Sequence, residues 1–207
     1  MMLRFPVRRV LLPLFLALFS LGFPLSLAAQ RGVRMVHRNL AEMVDEAETI
    51  VHGQVVSVDA ESHPQFANLR TVVVTLQVNE ILKGRSGSFL TFRQFVLDPR
   101  DLDTRLGYKP GQALLLLLIR PSPYGLSSPT GLDQGRFLLH ADGAGEFRAL
   151  NGNNNAGLFR DIAKKVPRLQ ERLSDPAQVV VSQHSAGPVS YRYLREIIRA
   201  LVEVRGD

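Results

Sequence analysis

The period of the apolar positions changes several times along the chain, and each change marks an element. Leu40, Met43, Val44 and Ala47 recur at helical spacing behind Asn39, a fitting N-cap, with Glu42 in capping-box position. A short helix is therefore predicted over residues 39–48. Across 49–58 (TIVHGQVVSV) the period drops to two and the residues become β-branched. This reads as a strand in which Gly53 is a bulge or a point of close approach. His63, Pro64 and Asn68 mark a loop. Beyond it Val72, Val74, Leu76 and Val78 share one face, and Thr71, Thr75, Gln77 and Asn79 the other, with Val73 the single apolar exception. That alternation predicts a half-buried antiparallel strand.

Lys83, Gly84 and Gly87 then turn the chain into a third strand over 88–97, with Leu90, Phe92 and Val96 on one face and Phe89, Phe92 and Phe95 read as core. A charged loop over 98–109 leads to the turn pair Pro110 and Gly111. The apolar run 113–119 is short and bounded by turn signals, so it reads as a strand buried on both faces. Residues 121–135 are rich in Pro, Ser and Gly and form a long loop; Asp142 to Gly145 then join two strands in a hairpin. After Leu150 comes an Asn-rich loop, a helical pattern over 158–173 punctuated at Pro167, a further loop through Pro188, and a C-terminal helix over 190–204. Strands between terminal helices, without βαβ alternation, predict an α+β, β-rich fold: a small barrel or a curled antiparallel sheet, with helices against an end or a face.

The N-terminus adds a compartment. Arg4, Arg8 and Arg9 precede an apolar stretch broken by Pro13, Gly22 and Pro24, and Ser26, Leu27, Ala28 and Ala29 supply small residues where a signal peptidase reads. This is the pattern of a secretory signal over 1–28, cut after Ala28, and no stable membrane span is expected once it is removed. The organisation expected is thus a signal (1–28), a β domain with its leading helix (29–150), and a loop with a helical extension packing on it (151–207). Three of the chain's positive charges fall in the signal, so the formal +6 becomes +3 for the remainder, and the basic balance carries no indication of nucleic acid. The 207 residues contain no cysteine, which removes disulfides, thiol catalysis and cysteine-held metals.

The runs AEMVDEAETIVHGQVVSV, VVVTLQVNEILKG and YKPGQALLLLL, in that order, resemble the netrin-like, or tissue-inhibitor-of-metalloproteinases-like, arrangement and many exported bacterial proteins. The resemblance spans residues 40–119. It implies an OB-like antiparallel barrel with an N-terminal helix and C-terminal helices. The inhibitors of that family act through an N-terminal cysteine, which this chain lacks, so no inhibitory residue carries over.

Chemical motifs are sparse. His37, His52, His63, His140 and His184 are scattered, without paired-ligand spacing. Neither G-x-S-x-G nor Ser-x-x-Lys occurs, and Gly84 to Gly87 is too short for a phosphate loop. Asp98, Asp101 and Asp103 alternate with Arg100 and Arg105 without the offsets of a calcium loop; they read as a solvated loop, and that loop is the best placed to carry a functional surface. Arg160, Lys164, Lys165, Arg168 and Arg172 form a basic patch, and the four-residue spacing puts Arg160, Lys164, Arg168 and Arg172 on one broad face if the helix continues through Pro167.

No residue is assigned a catalytic, cofactor-binding or metal-ligating role, and no cofactor is expected. The expectation is a secreted or periplasmic, non-enzymatic binding or structural module whose partner is another exported or envelope protein, not nucleic acid. A second reading, resting on the resemblance, is an accessory factor or inhibitor of a secreted protease; a third is an enzyme with a site assembled from loops.

Overall fold

The computed structural model of the chain describes residues 36–206. The signal segment and cleavage at Ala28 lie outside the described residues. The capping box forms as the sequence predicts. The Asn39 side chain accepts from the Glu42 amide and the Glu42 carboxylate accepts from the Asn39 amide, both at 2.9 Å, starting α1 (Leu40–Glu46). The chain passes directly into β1 (Ala47–His63), turns at Pro64 and Gln65, and returns as β2 (Phe66–Lys83). Both strands outrun their predicted bounds, because backbone pairing continues to His63 and Phe66 after the apolar alternation has ended. The register slips between His52 and Gly53, and a Cβ on Gly53 would stand 2.5 Å from the Gln77 carbonyl oxygen. The bulge and the close approach therefore coincide.

β3 (Phe89–Phe95), β4 (Ala113–Ile119), β5 (Arg136–Ala141), β6 (Phe147–Asn151) and β7 (Val189–Ser190) complete one antiparallel sheet in the order β3-β2-β1-β4-β5-β6-β7. Four further helices are α2 (Arg100–Asp103), α3 (Ile162–Lys165), α4 (Asp175–Gln183) and α5 (Tyr191–Gly206). The fold is α+β and β-rich. Among the described residues no helix is long and apolar enough to cross a membrane.

Period-two burial divides the sheet between two cores. Leu115 and Leu117 of β4 join Ile50, Phe137 and Leu139 under the helices, where Leu40, Met43, Leu158, Ile162, Leu169, Leu194, Ile198 and Leu201 cover them. Leu114, Leu116 and Leu118 face the other way, into a cluster with Val51, Val55, Val72, Val74, Leu76 and Phe92. Among the described residues no helix of eight or more residues contributes to that second cluster, and β1–β4 curl around it. The ladder nevertheless does not close into the expected barrel. From β4 back to β3 the connection is the segment 126–130. It meets β4 through Ile119 N–H to Ser128 O (3.0 Å) and Thr130 N–H to Leu117 O (2.8 Å), and β3 through the single bridge at Arg93, where Ser127 N–H donates to Arg93 O at 2.8 Å. Pro129 deprives this stretch of a donor that a closing strand needs, and Pro121 and Pro123 interrupt the chain just before it.

Two helical expectations are corrected. The 158–173 pattern breaks at Val166 (φ −133°, ψ 73°) into α3 and a 3₁₀ turn, Pro167–Arg172. Arg160, Lys164, Arg168 and Arg172 consequently do not share one helix face. Residues 175–183, expected as loop, form α4: Pro176 suits the first turn, and burial of Ala177 and Val181 outweighs the strand preference of three consecutive valines.

Candidate binding cleft

The charged loop singled out in the sequence is built around one buried ring. Tyr108 is 1% exposed, and its hydroxyl donates to Gln94 Oε1 of β3 at 3.0 Å. Phe92 meets its ring edge-to-face at 5.9 Å and the Arg136 guanidinium lies over it at 4.5 Å from the centroid. Burial pushes the phenol well above its usual range, against the opposing pull of Arg136, so the hydroxyl remains a donor at neutral pH. Arg136 also donates to the Leu106 carbonyl at 2.5 Å and pairs with Asp133 at 2.8 Å, which fastens the loop to the 131–135 turn.

Upstream of Tyr108 the chain is forced into an unfavourable path. After α2, Thr104 Oγ1 donates to the Asp101 carbonyl, and Arg105 (φ 52°), Leu106 (φ 54°) and Gly107 (φ 76°) follow in the left-handed region. Across the cleft Gly131 (φ 56°) and Leu132 (φ 59°) are left-handed as well. A non-glycine residue held there costs on the order of 1–2 kcal/mol. Neighbouring bonds over-determine both turns. Gly135 N–H donates to Thr130 O (2.8 Å), Gly152 N–H to Asp133 O (3.1 Å), and buried Gln134 takes the Arg38 amide and donates to the Val36 carbonyl, both at 3.0 Å.

Between these turns lies a cleft of about 240 Å³, walled by Leu106 and Leu132, with Phe95 and Leu97 on its β3 side and Asp101 at its rim. Phe95 is 38% and Leu97 60% exposed. Of the three phenylalanines read as core, only Phe92 is; Phe89 and Phe95 face outward. The sequence indicated the loop but not the cleft, because Leu106 and Leu132 carry no periodic signal. The flanking Gly107 and Gly131 were the available clue.

The remaining sequence candidates do not converge on a second polar site. Asp98 accepts from the Arg100 amide and side chain. His63 is buried at the β1–β2 tip. Its Nδ1 accepts from the Gln65 amide and its Nε2 faces the Tyr124 carbonyl at 2.8 Å, so Nε2 carries the proton. His37 meets Asn153 at 3.0 Å and His184 the Gly187 carbonyl at 3.0 Å. The Asn-rich loop turns inward: Asn151 donates to the Gln134 carbonyl, and Asn155 to the carbonyls of Ala149 and Gly187. Lys165 pairs with Glu42 at 2.5 Å and Lys164 with Asp161 at 3.4 Å. Among the described residues no group of three or more His, Asp or Glu side chains is placed to hold a metal ion.

The fold and cleft define the chain as a curled antiparallel sheet with a helical back and an apolar notch at one loop. No protein-family model matches the chain, and neither a curated protein nor a solved structure does.

Proposed function

We propose that the protein is a non-enzymatic binding module whose cleft takes one apolar side chain of a partner polypeptide, another exported or envelope protein. The observation that carries this reading is the pair Leu106 and Leu132, each in a left-handed backbone that favours glycine, presented from opposite walls beside exposed Phe95 and Leu97. Strain of this kind persists where the surroundings enforce it and gathers at ligand clamps. The notch is small and mostly apolar, which suits a leucine- or phenylalanine-sized anchor, and Asp101 at the rim suits a cationic neighbour on the partner. Export to the periplasm or medium is supported by the basic, apolar and small-residue order of the first 28 residues. An OB-like relationship for β1–β4 is supported by their curl around a shared apolar core.

Leu132→Gly tests the reading. It relieves about 1 kcal/mol of backbone strain and gives up a comparable amount from a half-exposed side chain, so stability is expected within about 1 kcal/mol of wild type. Binding is expected to fall. Wild type should retain a discrete polypeptide from an envelope fraction, and both Leu132→Gly and Leu97→Asp should lose it. Equal retention by all three proteins would contradict the assignment.

A further inference from the structure

We propose a second site, separate from the cleft: a groove along α5 that binds a doubly charged oxyanion of the phosphate-monoester type. Behind its lining stands Glu80 of β2, which lies opposite His52 in the β1–β2 register and pairs with two of the lining arginines. Glu80 accepts from Arg195 Nε at 2.7 Å, from an Arg199 terminal nitrogen, and from the Tyr191 hydroxyl at 3.3 Å. One carboxylate thus orients two guanidinium groups. Arg195 spends its Nε there and Arg199 one terminal nitrogen, and both residues line a groove of about 290 Å³.

The groove's carboxylates are already used. Glu196 accepts from the Ser174 amide at 2.6 Å and the Ser174 hydroxyl at 3.1 Å, at the start of α4. Glu203 accepts from Arg172 at 3.3 Å. Arg192 completes the lining; its guanidinium packs over the ring of Tyr193 at 5.8 Å and meets no carboxylate among the described residues. The result is an imbalance of hydrogen-bonding capacity: acceptors are engaged, while guanidinium donors of Arg192, Arg195 and Arg199 remain. The three residues recur at i, i+3 and i+7 on one helix, so they line one side of it. The planar N–H forks of Arg195 and Arg199 are held in place by Glu80 and have little freedom left to lose on binding, and together with the fork of Arg192 they match the oxygens of a phosphate group. A carboxylate ligand would offer fewer oxygens to three such forks.

Phosphate of this kind exists free or as a lipid headgroup. The test has one arm for each source. Calorimetric titration of the purified protein with inorganic phosphate, at constant ionic strength set with chloride, should give saturable binding that weakens at least tenfold in Arg192→Gln. That variant removes an exposed side chain with no hydrogen-bond or ion-pair partner among the described residues, so the fold is retained. Arg199→Gln should weaken binding by a similar factor. In the second arm the protein is sedimented with vesicles containing phosphatidic acid; binding there that Arg192→Gln abolishes, with free phosphate inert, would assign the headgroup as the source. Absence of saturable binding in both arms, or binding that Arg192→Gln leaves unchanged, would overturn the proposal. The Leu132→Gly variant should bind phosphate as wild type does, which separates this site from the cleft.

Discussion

Replacing Tyr108 by phenylalanine isolates the bond on which the cleft's loop hangs. The ring stays, and with it the edge contact to Phe92 and the guanidinium of Arg136 above it. Only the hydroxyl leaves, and it takes the 3.0 Å bond to Gln94 Oε1 with it. Gln94 is itself largely buried, at 9% exposed on the cleft wall, so its oxygen loses a donor. The net value of a neutral hydrogen bond is about 0.5–1.5 kcal/mol, whereas an orphaned buried acceptor costs about 1–3 kcal/mol. The second figure governs here, and the expected loss is about 2 kcal/mol. For a chain of this size that lowers the midpoint of thermal unfolding by roughly 4–8 °C. Gln94→Met, paired with Tyr108→Phe, removes both polar groups. The double variant should then recover part of the loss, with a coupling of about 1–2 kcal/mol in a urea-unfolding cycle. A Tyr108→Phe variant within 0.5 kcal/mol of wild type, or an additive cycle, would refute the reasoning.

Two other outcomes follow from the sheet. Gly53→Ala sets a Cβ 2.5 Å from the Gln77 carbonyl, a backbone atom that cannot swing aside, and should cost about 1–3 kcal/mol by urea unfolding. His52 has its pKa held below the ordinary 6.5, first by burial and then by Arg195, against Glu80. A base with a depressed folded pKa binds fewer protons folded than unfolded, so stability falls as pH drops below about 6.5 and levels off beneath the folded value. Thermal midpoints measured from pH 7.5 to 5 should show this decline, and His52→Gln should flatten it; an unchanged slope in the variant would contradict it.

Where burial obeys a period, the sequence was explicit. The 72–78 alternation, the doubly buried 113–119 run and the Asn39–Glu42 box each became the expected element, because each rests on local geometry or on a face against one core. The places that escaped are set by longer-range competition. The predicted barrel required a closing strand, but β5 pairs with β4 at Leu114–Leu116 and the proline-rich 121–130 stretch supplies only isolated bonds towards β3. α4 was hidden by its valines, whose helical state depends on burial against α5 and its surroundings. The loop over 98–109 was legible as a surface from its length and charge. The cleft was not, since it depends on two left-handed leucines that lie 26 residues apart and meet only when Arg136 joins their turns.

Site-specific photocrosslinking tests the central claim most directly. A photoreactive residue placed at position 97, on the cleft, is compared with one at position 183, on α4, in cells that produce the protein. A discrete adduct with one partner polypeptide is predicted from position 97 alone, and it should disappear when Leu106 is also changed to Asp. The same adduct from both positions, or one that survives Leu106→Asp, would contradict the assignment of the cleft as the binding surface.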